Sequence, residues 1–292
     1  VVPLLYAGSS GKNYSGAFNR WRACAGICNY PTTIRVINDE IFNSRVSTTF
    51  LTIGFVSTSS AADPDELIKQ AEELFDEGDE EAALEVYLEV LEEDSENYKA
   101  LWNASLIYSR LGYLMDGNED KQEEYYERAM ELAEKTIEAH PDEGHGYYVM
   151  AVAKGRWSEL QDNETRVETS HEIKENIEKA AERIPDYAPL WHLYGVFHSD
   201  VSDISGAEKF AANLISEGVP DASEEKAEEY LKRAIDMMPE SILFRLDLAK
   251  HYLKVDDEER ARVILKEISE MGVELPNEGQ LKEEAEELLE DM

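Results

Sequence analysis

The chain has 292 residues, with 28 Lys and Arg against 64 Asp and Glu, for a formal net charge of −36. So acidic a surface repels nucleic acid and anionic membrane, and it favours solubility. The hydrophobic fraction of 42% is enough for a packed core, and no run of eighteen apolar residues reads as a transmembrane helix.

The charge is unevenly placed. Residues 1–60 carry five basic groups (Lys12, Arg20, Arg22, Arg35, Arg45) and two acidic ones (Asp39, Glu40), which leaves 23 basic and 62 acidic groups, a net −39, for the rest. Residues 1–62 are also rich in Ser, Thr, Gly and Asn and show no sustained period. Cys24 and Cys28, the only cysteines, stand as C-x3-C with no second pair to complete a zinc site. Arg45, the apolar run VSTTFLTIGFV at 46–56 and the small residues before Ala62 are the three parts of a secretory signal. The first methionine is Met115. The expectation is an unstructured leader or mis-extended start over 1–62, with a signal peptide ending near Ala61. The body would then be exported or periplasmic; without a working signal it is cytoplasmic.

From Asp63 the character changes. Asp63-Pro64-Asp65-Glu66 reads as a helix start, with Asp63 as N-cap, Pro64 at N1 and Glu66 at N3. Leu67, Ala71 and Leu74 form an apolar stripe, Gly78-Asp79 breaks it, and Ala83, Tyr87 and Val90 line a second helix. Two amphipathic helices around a glycine turn, over about 34 residues, match a tetratricopeptide repeat. Ser95 stands where that repeat usually has proline.

Four more hairpins follow. The second places Leu101, Ser105 and Tyr108 on one helix, Gly112 at the turn, and Ala129, Ala133 and Thr136 on the next, ending at Pro141. Residues 113–124 read as a solvated insertion, whose Asp116-Gly117-Asn118 lacks the ligand spacing of a calcium loop. The third carries Tyr147 and Ala151, then Ile173, Ile177 and Ala180, ending at Pro185. The fourth opens with Trp191, Tyr194, Gly195 and His198 on one face and closes with Ala227, Leu231 and Ala234 before Pro239. Its excess, residues 199–223, holds Ile204, Ala207, Phe210, Ala211, Leu214 and Ile215 at spacings of three and four, so an extra amphipathic helix is expected there. The fifth carries Arg245, Ala249 and Tyr252, then Ala261, Leu265 and Ile268. Asn277 and Gln280 read as a capping box for a last helix over 278–289, whose acidic surface suits a solenoid end. The predicted fold is all-α: tetratricopeptide-like helical hairpins over 63–292 in a right-handed superhelix, with an extra helix in the fourth repeat and a C-terminal cap.

No motif names a reaction. There is no P-loop, no G-x-G-x-x-G, no G-x-S-x-G and no H-E-x-x-H. His192 and His198 are six apart, turned about 120° from each other on a helix. The six histidines read as ordinary, partly exposed residues, and no cofactor or metal is expected.

Trp191-His192-Leu193-Tyr194-Gly195, then Ala211-Ala212-Asn213-Leu214, SEEKAEEYLKRAIDMMP at 223–239, and Leu248-Ala249-Lys250-His251-Tyr252 resemble the regulator of microtubule dynamics protein family. The resemblance covers about residues 63–290 and lies in the order and insertion lengths of the repeats. It implies an all-helical, non-enzymatic interaction protein, with eukaryotic members linked to microtubules. Tubulin's surface is itself acidic, so a body of −39 would be repelled from it.

In tetratricopeptide repeats, residues two, five, nine, twelve and thirteen of each first helix line the concave groove. Here they give Lys99, Trp102, Leu106, Ser109 and Arg110, then His145, Tyr148, Val152, Gly155 and Arg156. The last two hairpins give Pro189, His192, Val196, Ser199 and Asp200, then Leu243, Leu246, Lys250, Leu253 and Lys254. Cations on the inner wall beside Trp102 and Tyr148 suggest a groove for a peptide with acidic groups or a free C-terminus. The competing reading is that these cations only balance neighbouring acids. The functional expectation is a scaffold for a protein or peptide partner. The alternatives are a microtubule-associated regulator or an exported assembly factor of the cell envelope.

Overall fold

The computed structural model describes residues 63–115, 117–204, 218–273 and 278–292. The leader, its signal, Cys24 and Cys28, the core of the expected extra helix (205–217) and Asn277 of the expected capping box lie outside the described residues.

Eleven α-helices and no strand occur among the described residues. They are α1 (Pro64–Asp76), α2 (Glu80–Glu93), α3 (Tyr98–Leu114), α4 (Glu119–Ala139), α5 (His145–Ser158) and α6 (Asn163–Arg183). Then come α7 (Ala188–Ser202), α8 (Glu224–Met237), α9 (Ile242–Lys254), α10 (Glu258–Glu270) and α11 (Glu278–Glu290). Local chemistry places most of the starts. Side chains of Asp63, Asp79, Asn97, Asn118, Asp162, Ser223, Ser241 and Asp257 each accept a first-turn backbone N–H, satisfying donors the helix itself leaves open. Gly78, at φ 86°, supplies the left-handed residue that turns α1 into α2.

The helices pair as antiparallel hairpins, α1 with α2 through α9 with α10, and α11 caps the last one. In three of the hairpins small residues of both helices are fully buried: Ala71 and Ala83, Ser105 and Ala129, where Ser105 Oγ donates to Ala129 O at 2.8 Å, and Ala249 and Ala261. In the fourth hairpin the small residue is Gly195. A Cβ there would lie 2.6 Å from the Leu231 side chain and 2.9 Å from its backbone nitrogen. Because the backbone cannot yield as a side-chain tip can, Gly195→Ala is expected to cost about 1–3 kcal/mol. Gly279→Ala, which meets nothing within 4 Å on α11, should be neutral or stabilising by up to about 1 kcal/mol. Urea unfolding of the two variants checks the contrast.

The joints between hairpins share a device. Pro141, Pro185 and Pro239 follow α4, α6 and α8, and in each case a side chain six residues on donates to the proline carbonyl. Tyr147 Oη does so at 3.3 Å and Trp191 Nε1 at 2.7 Å, while Arg245 serves Pro239. Arginines of the following second helix join in. Arg183 donates to Pro141 O and lies 4.7 Å over the Tyr147 ring; Arg233 donates to Pro185 O and lies 3.5 Å over Trp191. At Pro141 and Pro185 the carbonyl just past the helix end thus receives two donors while an aromatic face gains a cation; Pro239 O receives Arg245 alone.

Two expectations need correction. Gly112 is not a turn: α3 runs through it to Leu114, and its bare Cα admits the Tyr126 ring, which a Cβ would meet at 2.7 Å. Residues 113–124 are not a long loop either, because Tyr113 and Leu114 extend α3 while Asn118 caps α4, which starts at Glu119. Glu119 and Asp120 occupy the first turn of α4, where acids are favoured by the helix dipole.

Candidate functional site: the inner wall

First helices pack on first helices: α3 on α5, α7 on α9 and α9 on α11. Second helices instead bridge from their own hairpin to the next, as α2 does to α3 and α4 to α5, and none of the principal packing pairs joins two of them. The first helices therefore form the closer-spaced, inner layer of the superhelix, the surface that such solenoids use for binding.

Each of the five expected wall cations meets a carboxylate. Lys99 reaches Glu72 on α1 at 2.8 Å, and Arg110 is held by Glu80 with its guanidinium 5.3 Å over Phe75. Arg156 is only 2% exposed, 4.6 Å over Tyr113, with Glu159 at 3.9 Å. Lys250 lies 3.6 Å from Asp247 and 2.9 Å from Glu284 on α11, and Lys254 pairs with Asp200 on α7. Five cations thus face six carboxylates, so the wall carries no positive excess. Tyr148, Val152, His192 and Val196 are buried in the packing between first helices rather than presented to a ligand. Trp102 and Leu106 are half-buried, and Lys99 is exposed.

One stretch of wall is aromatic. Trp102 stacks on His145 with centroids 4.5 Å apart, and Tyr187, the residue before α7, meets His145 edge-on at 4.9 Å and Tyr148 at 5.2 Å. Tyr98 Oη holds His145 Nδ1 at 2.7 Å, which orients the imidazole. Burial lowers the His145 pKa, so the ring is neutral at pH 7, and burial pushes the Tyr187 phenol up to about 12. The Trp102 indole N–H and the Tyr187 hydroxyl make no hydrogen bond among the described residues, and both side chains are half-buried.

Further along, the wall is polar and closed. Every residue from Trp191 to Val201 is buried, because α7 is flanked by α6, α8 and α9. His192 Nε2 meets Asp247 Oδ2 at 2.8 Å, and its ring stacks on Phe244 at 4.5 Å. His251 Nδ1 pairs with Ser199 Oγ at 3.0 Å, and His198 Nδ1 accepts the Ser223 N–H at 3.2 Å. These three histidines are not partly exposed as expected: His192 and His251 are buried where α7 meets α9, and His198 is buried inside the fourth hairpin against Tyr194 and Tyr230.

Burial, helped by Lys226 and Lys174, lowers the His198 pKa to about 4; burial and then Lys254 do the same for His251, against the pull of Glu228. Unfolding restores an ordinary value near 6.5, so between pH 6.5 and 4 the unfolded chain binds more protons. Stability held above pH 6.5 is therefore lost as pH falls through that window, on the order of 3 kcal/mol per histidine at most. Protonation of the many carboxylates relieves repulsion in the opposite sense, so the check is a difference. The fall of melting temperature between pH 6.5 and 5 should be shallower in His198→Gln than in the parent.

No described helix is long and apolar enough to cross a membrane, and no cluster of metal-ligating side chains occurs among the described residues. The sequence profile described as regulator of microtubule dynamics protein 1-3 matches residues 67–292. The chain belongs to the regulator of microtubule dynamics protein 1-3 family. It is similar to regulator of microtubule dynamics protein 1 of Bos taurus, 24% identical over 226 residues that make up 77% of this chain and 71% of that one. It is also similar to protein 3 of the series from Xenopus laevis, 26% identical over 66% of this chain and 41% of that one. Among solved structures it resembles a thermophilic tetratricopeptide repeat protein of Thermus thermophilus, with TM-score 0.60 and 19% identity over 78% of this chain and 99% of that one. At that identity the likeness establishes the tetratricopeptide fold.

In this family member the reading of groove positions found Trp102 and His145 but missed Tyr187, Tyr98 and Asp247. Tyr187 sits one residue before α7, where repeat numbering does not look, although an aromatic in place of a capping side chain is a usable signal. Asp247 is the sixth residue of its helix, outside the groove positions, and it reaches the wall only because α7 lies against α9.

Proposed function

We propose that the chain is a non-enzymatic interaction scaffold whose inner wall receives an extended segment of a protein partner. The observation that carries this reading is the half-buried aromatic stretch of Trp102, His145 and Tyr187, with Leu106 half-buried as well, on a layer where Tyr148, Val152, His192 and Val196 are closed by packing and all five cations are engaged by carboxylates. Aromatic side chains in a concave setting supply large contact area at little entropic cost, which is how interfaces concentrate their energy. Lys99, Arg110, Lys250 and Lys254 flank the receiving surface, and their carboxylate partners set its charge. Arg156, His192, Tyr148, Val152 and Val196 serve it from beneath by holding the first helices in register.

Site-specific photo-cross-linking from position 106, compared with the exposed outer position Val263, tests this in cells of the native source. A discrete adduct from position 106 alone is expected, and equal labelling from both positions would count against the reading. The names of the relatives favour a second reading, a regulator acting on microtubules. Given the net charge, such action would run through an intermediary, and co-sedimentation with purified tubulin polymer alone should show no binding.

A further inference from the structure

The wall's charges and its aromatic stretch together say what kind of segment fits. An anionic ligand would have to displace Glu72, Glu80, Asp200, Asp247 or Glu284 from the cations they hold, each exchange costing an existing pair. A cationic ligand meets no such obstacle. His145 is neutral at pH 7 because of its burial. Arg110, whose charge reaches Tyr187, is held by Glu80. Glu143, exposed at the mouth of α5, acts on both His145 and Tyr98.

We propose that the partner segment is basic: a Lys or Arg side chain stacks on the Trp102–His145–Tyr187 shelf, with Glu143 beside it. The indole N–H of Trp102 and the hydroxyl of Tyr187, which make no hydrogen bond among the described residues, donate to the segment's backbone carbonyls. The indole face gives a cation its strongest aromatic partner. The −39 body raises the local concentration of basic segments and speeds their arrival, so charge sets encounter while the shelf sets position. This rests on the reading that the inner wall is the binding surface, and it adds the sign and anchoring of the ligand.

The test uses the full chain and three fluorescent peptides of about twelve residues and one pattern, carrying Arg and Lys, Gln, or Glu at the same positions, followed by anisotropy. The basic peptide should bind at least tenfold more tightly than the Gln peptide, and the Glu peptide should be weakest. Trp102→Ala should weaken the basic peptide about tenfold and Glu143→Gln severalfold. Glu229→Gln with Glu267→Gln, which remove the same kind of charge from exposed positions of second helices, should change it less than twofold. Circular dichroism of Trp102→Ala checks that the helices persist. Basic-peptide binding that ignores Trp102 would be mere charge adsorption and would overturn the proposal. Trp102-dependent binding of the Glu or Gln peptide at equal strength would overturn it while leaving the inner-wall reading intact. No Trp102-dependent binding of any peptide would remove both.

Discussion

Trp191→Ala is expected to destabilise the fourth and fifth hairpins by about 3–5 kcal/mol, the usual range for deleting a buried large aromatic. The ring, 7% exposed, is covered by Arg233 at 3.5 Å and by Tyr230 at 5.3 Å, and its N–H caps Pro185 O at 2.7 Å. Alanine removes the buried area, the cation's partner and one of the two donors to that carbonyl together. Trp191→Phe keeps most of the area and loses only the donor, so about 1 kcal/mol is expected. A solenoid transmits stability from neighbour to neighbour, so the deletion should also split a single urea transition into two. Far-UV circular dichroism against urea reads both effects; equal midpoints for the two variants would show that the joint is not held by this ring.

Asp247→Ala has a similar expected magnitude by a different route. The carboxylate is fully enclosed: burial raises its pKa, and Lys250, His192 and Lys254 outweigh that and hold it below the ordinary value. Removing it strands His192 Nε2 in a dry joint and leaves Lys250 with Glu284 in place of two acids, for a loss of about 3–5 kcal/mol. Replacing both members of the pair is the informative control. Because a buried polar pair contributes little over a well-packed apolar one, Asp247→Leu with His192→Leu should recover at least half of the loss. Failure of the double variant to recover would mean that the polar pair, rather than filled volume, is needed to set α7 against α9.

The hairpin frame was legible because each signal was local. Proline at 141, 185 and 239, glycine at 78, and the small residues Ala71, Ala83, Ala227 and Ala261 each report on a turn or crossing within their own hairpin. Residues 113–124 misled because Gly117-Asn118 is a true turn signal, with Gly117 at φ 85°, while the residues on either side continue the two helices. The wall misled for a reason of range. The carboxylates that neutralise Lys99, Arg110 and Lys254 come from 27, 30 and 54 residues away, so spacing within one helix found the cations but not their partners. The buried histidines share that cause: α7 has helical periodicity but no exposed face from Trp191 to Val201, since α6, α8 and α9 pack around it.

Whether a partner segment settles on the wall at Trp102 can be read directly by fluorine NMR of the full chain carrying 5-fluorotryptophan. Single Trp→Phe replacements assign the four signals, and Trp102, Trp157 and Trp191 report from three different helices, α3, α5 and α7. On titration with the basic peptide the Trp102 resonance is predicted to move in a saturable way while those of Trp157 and Trp191 stay in place. A saturable shift at Trp157 or Trp191 with Trp102 unmoved would contradict it.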